Sequence, residues 1–183
     1  RSELAGNTLN LHYTLKHPEN YGISEAPVTL GSAEPEVLEA SGLVLENYQE
    51  VLRRFPYQTL SKTNRLTYDI LQLYLQNQLH GHKFALYAEP LGPTIGTQAQ
   101  LPVLLAEYAF RNKADIETYL TLLTEMDEYY STLVHFEEAK SREGLFMSAS
   151  AAQAVIDQCN AFIREPSKNF LITVFAEKID NMI

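Results

Sequence analysis

Several kinds of residue are scarce in this 183-residue chain, and each scarcity removes a class of explanation. Cys159 is the only cysteine, so no disulfide can close within the chain. Tryptophan is absent, which leaves aromatic packing to eleven tyrosines and eight phenylalanines. Lysine and arginine number 14 against 23 acids, a net charge of −9, and they form no cluster. Nucleic acid and an anionic membrane surface are therefore unfavourable partners. No run of 18 apolar residues is present to span a bilayer, and neither an internal repeat nor a low-complexity tract occurs.

The chemical signatures of common enzymes are missing too. A zinc peptidase helix would carry His-Glu-x-x-His, so that two imidazoles meet one metal with a glutamate as base. The nearest approach is His135-Phe136-Glu137-Glu138, where His135 and Glu138 share a helical face and read as a solvated charged patch. His80-Gly81-His82 has no third placed ligand and reads as a polar helix terminus. Gly-x-Ser-x-Gly does not occur, and Pro93 to Thr97 lacks the Gly-Lys-Ser/Thr ending of a phosphate loop. Glu125, Asp127 and Glu128 follow from an acidic composition, and Cys159 has no basic neighbour to lower its pKa.

What is present is helical periodicity. An apolar fraction of 45% and a charged fraction of 20% suit a single globular domain over residues 1–183. The spacing predicts an all-α, irregular bundle of six or seven helices. Residues 3–15 read as a weak helix interrupted by Gly6. Residues 34–54 follow, with Pro35 in the first turn, Val37, Val44, Tyr48, Val51 and Phe55 inward, and Pro56 as the stop. Ser61 caps a helix that ends near Gly81 and carries Leu66, Ile70, Leu71, Tyr74, Leu75 and Leu79 on a broad apolar face. Leu101 to Ala109 reads as short and central.

Asn112 or Asp115 caps the longest predicted helix, 114–142. Its seam of Ile116, Tyr119, Leu123, Met126, Tyr130 and Leu133 is joined by a second stripe of Leu122, Tyr129 and Phe136, which implies packing on two sides. Gly144 ends it, and Ser148 or Ser150 starts a helix with Ala152, Val155, Ile156, Cys159, Phe162 and Ile163 inward, Cys159 as a small buried residue. Pro166 and Ser167 open the last helix, whose Phe170, Leu171, Val174, Phe175, Ile179 and Met182 are apolar. No glycine or proline follows Ile179, so the chain is expected to be part of a longer protein.

The one long interruption is Tyr87 to Pro102, YAEPLGPTIGTQAQLP, where proline and glycine forbid simple continuation of the preceding helix. Leu91, Ile95 and Leu101 give this loop, or short extended excursion, apolar groups by which it could be held.

EPLGPTIGTQAQLPVLLAEYAFRNKADIETYLTLL, followed by SREGLFMSASAAQAVIDQC, resembles the amino-terminal half of a bacterial family known as domain of unknown function 885. HPENYGI at 17–23 and VTLG at 28–31 resemble its opening region, so the similarity spans nearly the whole chain. The resemblance implies a large helical protein, secreted or lipid-anchored, akin to gluzincin-type zinc carboxypeptidases. Its His-Glu and Pro-Gly-His metal motif would lie in a carboxy-terminal half beyond these residues.

No catalytic, cofactor or metal residue carries over, and zinc is expected only in the longer protein. The implied role is a non-catalytic wall or lid of a substrate channel, with the carboxy-terminal half and a peptide substrate as partners. Tyr87, Pro90, Gly92, Pro93, Gly96 and Gln98 are the loop residues that would shape that channel. The competing reading is a free-standing helical interaction module without enzymatic activity.

Overall fold

The computed structural model describes residues 2–24 and 26–181, and among these it contains helices and turns but no strand. Two compact units are present. The first comprises residues through Ser32, Glu89–Val134 and residues from Phe146 onward, and the second Ala33–Ala88 and His135–Leu145.

The first unit begins with α1 (Ser2–Ala5) and α2 (Thr8–Thr14), so the weak opening helix divides at Gly6 and Asn7. Asn7 makes the division: its Oδ1 accepts from Asn10 N–H at 2.9 Å as an N-cap, and its Nδ2 donates to the Leu30 carbonyl at 2.6 Å. A connection then runs through one 3-10 turn, Pro18–Tyr21, closed by Gly22 in the left-handed region.

In the second unit α3 (Pro35–Arg53) and α4 (Lys62–His82) form an antiparallel hairpin, capped at Ser61, whose Oγ accepts from Asn64 N–H at 3.2 Å. The two helices approach closely where Gly42 meets His82, since a Cβ at Gly42 would lie 2.5 Å from Nε2 of that histidine. The broad apolar faces predicted for this pair are a correction. Only Leu75 is buried and Leu79 half-buried, whereas Val37, Val44, Tyr48, Val51, Phe55, Leu66, Ile70, Leu71 and Tyr74 are exposed. The half-buried apolar positions are Leu38, Leu45 and Leu52 on α3 and Tyr68 with Leu79 on α4, so the face that packs is offset from the one that spacing picked out.

The loop after α4 gives way to α5 (Thr97–Glu107), which starts four residues before the predicted Leu101 and contains Pro102. Proline here forfeits the intrahelical bond its own N–H would make, and its ring crowds the carbonyl of Gln98 one turn back. Leu101, Pro102 and Leu105 are buried, while Val103 and Leu104 face outward, so α5 is central on one side only.

The predicted 114–142 helix is two helices, α6 (Lys113–Thr124) and α7 (Met126–Arg142), meeting at Glu125. Thr121 Oγ1 donates back to the Glu117 carbonyl at 3.0 Å and Thr124 Oγ1 to that of Thr121 at 2.7 Å, local bonds that bend helices. Asn112 and Asp115 act together as a capping box at the start of α6. Tyr119, Leu122, Leu133 and Phe136 are buried, in keeping with the two stripes. Gly144, at φ +72°, ends α7 in a Schellman motif: Leu145 N–H reaches the Lys140 carbonyl at 2.9 Å and Gly144 N–H that of Ser141 at 3.1 Å.

α8 (Ala149–Ile163) takes Ser148 as its cap and presents Ala152, Val155, Cys159 and Phe162 inward. Cys159 is half-buried, and Ile156 and Ile163 are exposed, so the inward stripe is narrower than expected. Pro166–Lys168 is a separate 3-10 turn; Asn169 caps α9 (Phe170–Asp180), and Asn181 closes it. Met182 lies outside the described residues. Phe170 and Ile172 are exposed. Phe175 stacks on Tyr119 with centroids 5.7 Å apart and meets Phe110 edge-on at 5.6 Å. The core of the first unit is thus α5, α6 and α9 around Leu105, Tyr108, Tyr119 and Leu122, joined by Leu9 and Leu30.

Candidate functional site

Two arrangements of polar groups stand out in the first unit. The first is the loop between α4 and α5. Gly96 N–H donates to the Gly92 carbonyl at 3.2 Å and Thr97 N–H to that of Pro90 at 2.8 Å, which folds residues 90–97 back on themselves. Gln98, buried in the first turn of α5, uses both amide protons: one to the Gly92 carbonyl at 2.6 Å, one to Gln158 Oε1 of α8 at 2.8 Å. Gln158 Nε2 completes the clasp by donating to the Pro93 carbonyl at 2.8 Å.

The glycines of this turn differ in what they do. A Cβ on Gly96 would fall 2.3 Å from Gly92 N and 2.5 Å from its carbonyl oxygen, so Gly96 is required by close backbone approach. A Cβ on Gly92 would meet nothing within 4 Å. Pro93, Thr94 and Ile95 form the exposed tip, with Ile95 79% exposed on a backbone that is otherwise fastened. Tyr87 belongs to the second unit. There it ends the 3-10 turn Ala85–Tyr87, meets Phe84 edge-on at 5.9 Å and borders a cavity of about 640 Å³ with Glu36, Glu39, His82 and Lys83.

The second arrangement was not singled out by any motif. α2, the connection after it and the start of α6 enclose a cavity of about 460 Å³ lined by His12, Lys16, Tyr108, Arg111 and Asp115 among others. His12 is 8% exposed and stacks on Tyr108, centroids 3.8 Å apart and planes 17° from parallel. Arg111 follows the turn after α5 and reaches back 99 residues: its Nη2 donates to the His12 carbonyl at 3.2 Å and its Nη1 lies 3.5 Å from His12 Nδ1. Nδ1 thus faces the guanidinium, with Asp115 Oδ1 4.0 Å away, and the buried Nε2 has no hydrogen-bond partner.

Burial, then the Arg111 charge, lowers the His12 pKa from its ordinary value, with Asp115 opposing. Tyr108 is pushed up to about 12, chiefly by burial and then by Asp115, so its phenol stays neutral. Asp115 is itself engaged by N–H groups, accepting from Arg111 at 2.8 Å and Asn112 at 3.2 Å.

The segments that hold this cavity are tied to the core. Tyr13 Oη donates to the Leu104 carbonyl at 2.7 Å, linking α2 to α5. Lys178 of α9 donates to the carbonyls of Ala106 and, at 2.7 Å, Tyr108, a cation placed at the negative end of α5.

The remaining histidines of interest lie elsewhere. His135 pairs through Nδ1 with Glu34 Oε1 at 2.6 Å, a partner from the start of α3 rather than Glu138 on its own helix. That hydrogen bond and the glutamate charge raise its pKa. His80 meets Phe84 edge-on in the last turn of α4. Among the described residues no three His, Cys, Asp or Glu side chains are placed to share a metal ion.

No curated protein and no solved structure matches the chain. A family model described as "Bacterial protein of unknown function (DUF885)" matches residues 20–182, from the 3-10 turn after α2 to the end of α9, and the chain therefore belongs to that family.

Proposed function

We propose that this chain is a non-catalytic helical region of a zinc-dependent, carboxypeptidase-like protein, in which it forms a wall or lid of the substrate channel with the loop before α5, residues 89–96, at the channel edge. The observation that supports this reading is the clasp made by Gln98 and Gln158 beneath an exposed, uncharged tip at Pro93, Thr94 and Ile95. A loop ordered before its ligand arrives gives up little conformational entropy on binding, and an exposed isoleucine on such a loop offers apolar area to a partner. The zinc and the hydrolytic groups would be supplied by the carboxy-terminal half.

The test is steady-state kinetics on the longer protein with peptide substrates, zinc content measured in parallel. Ile95→Ser is expected to raise KM severalfold and leave kcat and zinc content unchanged. An unchanged KM would remove the loop from the channel; the absence of zinc-dependent peptide hydrolysis would remove the peptidase-like reading itself. Partner binding without hydrolysis would favour the free-standing interaction module, for which the apolar residues exposed on α3 and α4 are the natural surface.

A further inference from the structure

The His12 cavity is bordered by two exposed cations, Lys16 and Arg111. Among the described residues neither Lys16 nor Arg111 makes an ion pair. The acids that line the same cavity have partners of their own: Glu19 Oε1 is 3.1 Å from His17 Nδ1, while Asp115 accepts the Arg111 and Asn112 backbone N–H groups on Oδ2 and turns Oδ1 toward His12 Nδ1 at 4.0 Å.

Arg111 is also held in place. Its guanidinium rests on the His12 carbonyl and beside Nδ1, which orient it without neutralising it. His12 is fixed in turn by stacking on Tyr108, and its neutral state adds no competing charge. An oriented, un-neutralised guanidinium presents parallel N–H donors that match the two oxygens of a planar carboxylate. The volume of about 460 Å³ falls within the roughly 300–1,000 Å³ typical of small-molecule sites.

We propose that this cavity binds a carboxylate, with Arg111 as the recognition group, Lys16 as the second cation and His12 as the residue that positions Arg111. The inference stands independently of the peptidase-like reading. A carboxylate can come from a free organic acid or from the end of a peptide, and the same chemistry would recognise either.

Calorimetric titration of the full chain tests it with four probes: succinate, an acetylated tripeptide acid, the same tripeptide as its amide, and inorganic phosphate. Saturable 1:1 binding of succinate is expected if the source is a free acid. Binding of the tripeptide acid but not the amide is expected if it is a peptide terminus. Arg111→Gln should weaken the bound probe about tenfold or more, the loss of a charge-assisted pair. Lys16→Gln, on an exposed residue that supports no packing, should weaken it severalfold with the far-ultraviolet dichroism unchanged. Arg111→Lys keeps the charge and loses the fork, and should fall between wild type and Arg111→Gln. Absence of binding by both carboxylates, tighter binding of phosphate than of either, or affinities indifferent to both Arg111→Gln and Lys16→Gln would overturn the proposal.

Discussion

Burial against Tyr108 and the charge of Arg111 hold His12 below its ordinary protonation range, while the hydrogen bond to Glu34 lifts His135 above it. The two histidines should therefore pull stability in opposite directions with pH. Between the lowered pKa of His12 and the ordinary value of about 6.5, the unfolded chain binds a proton that the folded chain does not. Stability from this site is present above that window and is lost as pH falls through it. For His135 the folded chain holds the extra proton, so its contribution is present below about 6.5 and is lost as pH rises through the raised value. A proton NMR titration of the imidazole resonances checks both, with His135→Gln giving the assignment. Midpoints for His12 and His135 on the same side of the ordinary value would contradict this account.

The turn from Pro90 to Gln98 separates two glycines that look alike in the chain. Gly96→Ala forces a methyl group into the Gly92 backbone and is expected to cost about 1–3 kcal/mol, the usual range for overpacking. Gly92→Ala meets open space and should stay within roughly 0.5 kcal/mol of the parent. Urea denaturation of the two variants measures the difference, and equal midpoints would mean that the backbone approach at Gly96 is not a constraint.

Local chemistry of this kind was partly readable. The caps at Ser61, Asn112 and Ser148 and the stop at Gly144 were legible because each is set by one side chain or one backbone angle. The division at Glu125 was not, since Thr121 and Thr124 bend a helix without interrupting its apolar period. Nor was the start of α5, because Pro102 reads as an end and is in fact interior. The His12 cavity left no trace in spacing, as its two principal residues stand 99 positions apart.

Burial is unevenly distributed over the molecule. α5, α6 and α9 surround fully buried Leu105 and Leu122, whereas α3 and α4 of the second unit leave most of their apolar residues in solvent. Opening free energies follow buried apolar contact, so amides of α3 and α4 should exchange well before those of α5 and α6 in native-state hydrogen exchange. Uniform protection across both units would show that burial does not rank their stability. Of the eleven apolar residues that spacing picked out along this pair nine are exposed, and on α3 the half-buried stripe is Leu38, Leu45 and Leu52, so the period was legible and the packed face was not.

The Gln98 and Gln158 clasp also makes the loop observable without an attached probe. Side-chain amide protons locked to carbonyls at 2.6–2.8 Å rotate and exchange slowly, so these two glutamines should give resolved, shifted pairs in an ordinary nitrogen-15 correlation spectrum. Any ligand, variant or change of conditions that loosens residues 90–98 would be read directly as the collapse of those pairs toward the positions of exposed glutamines, which turns a structural fastening into a built-in reporter.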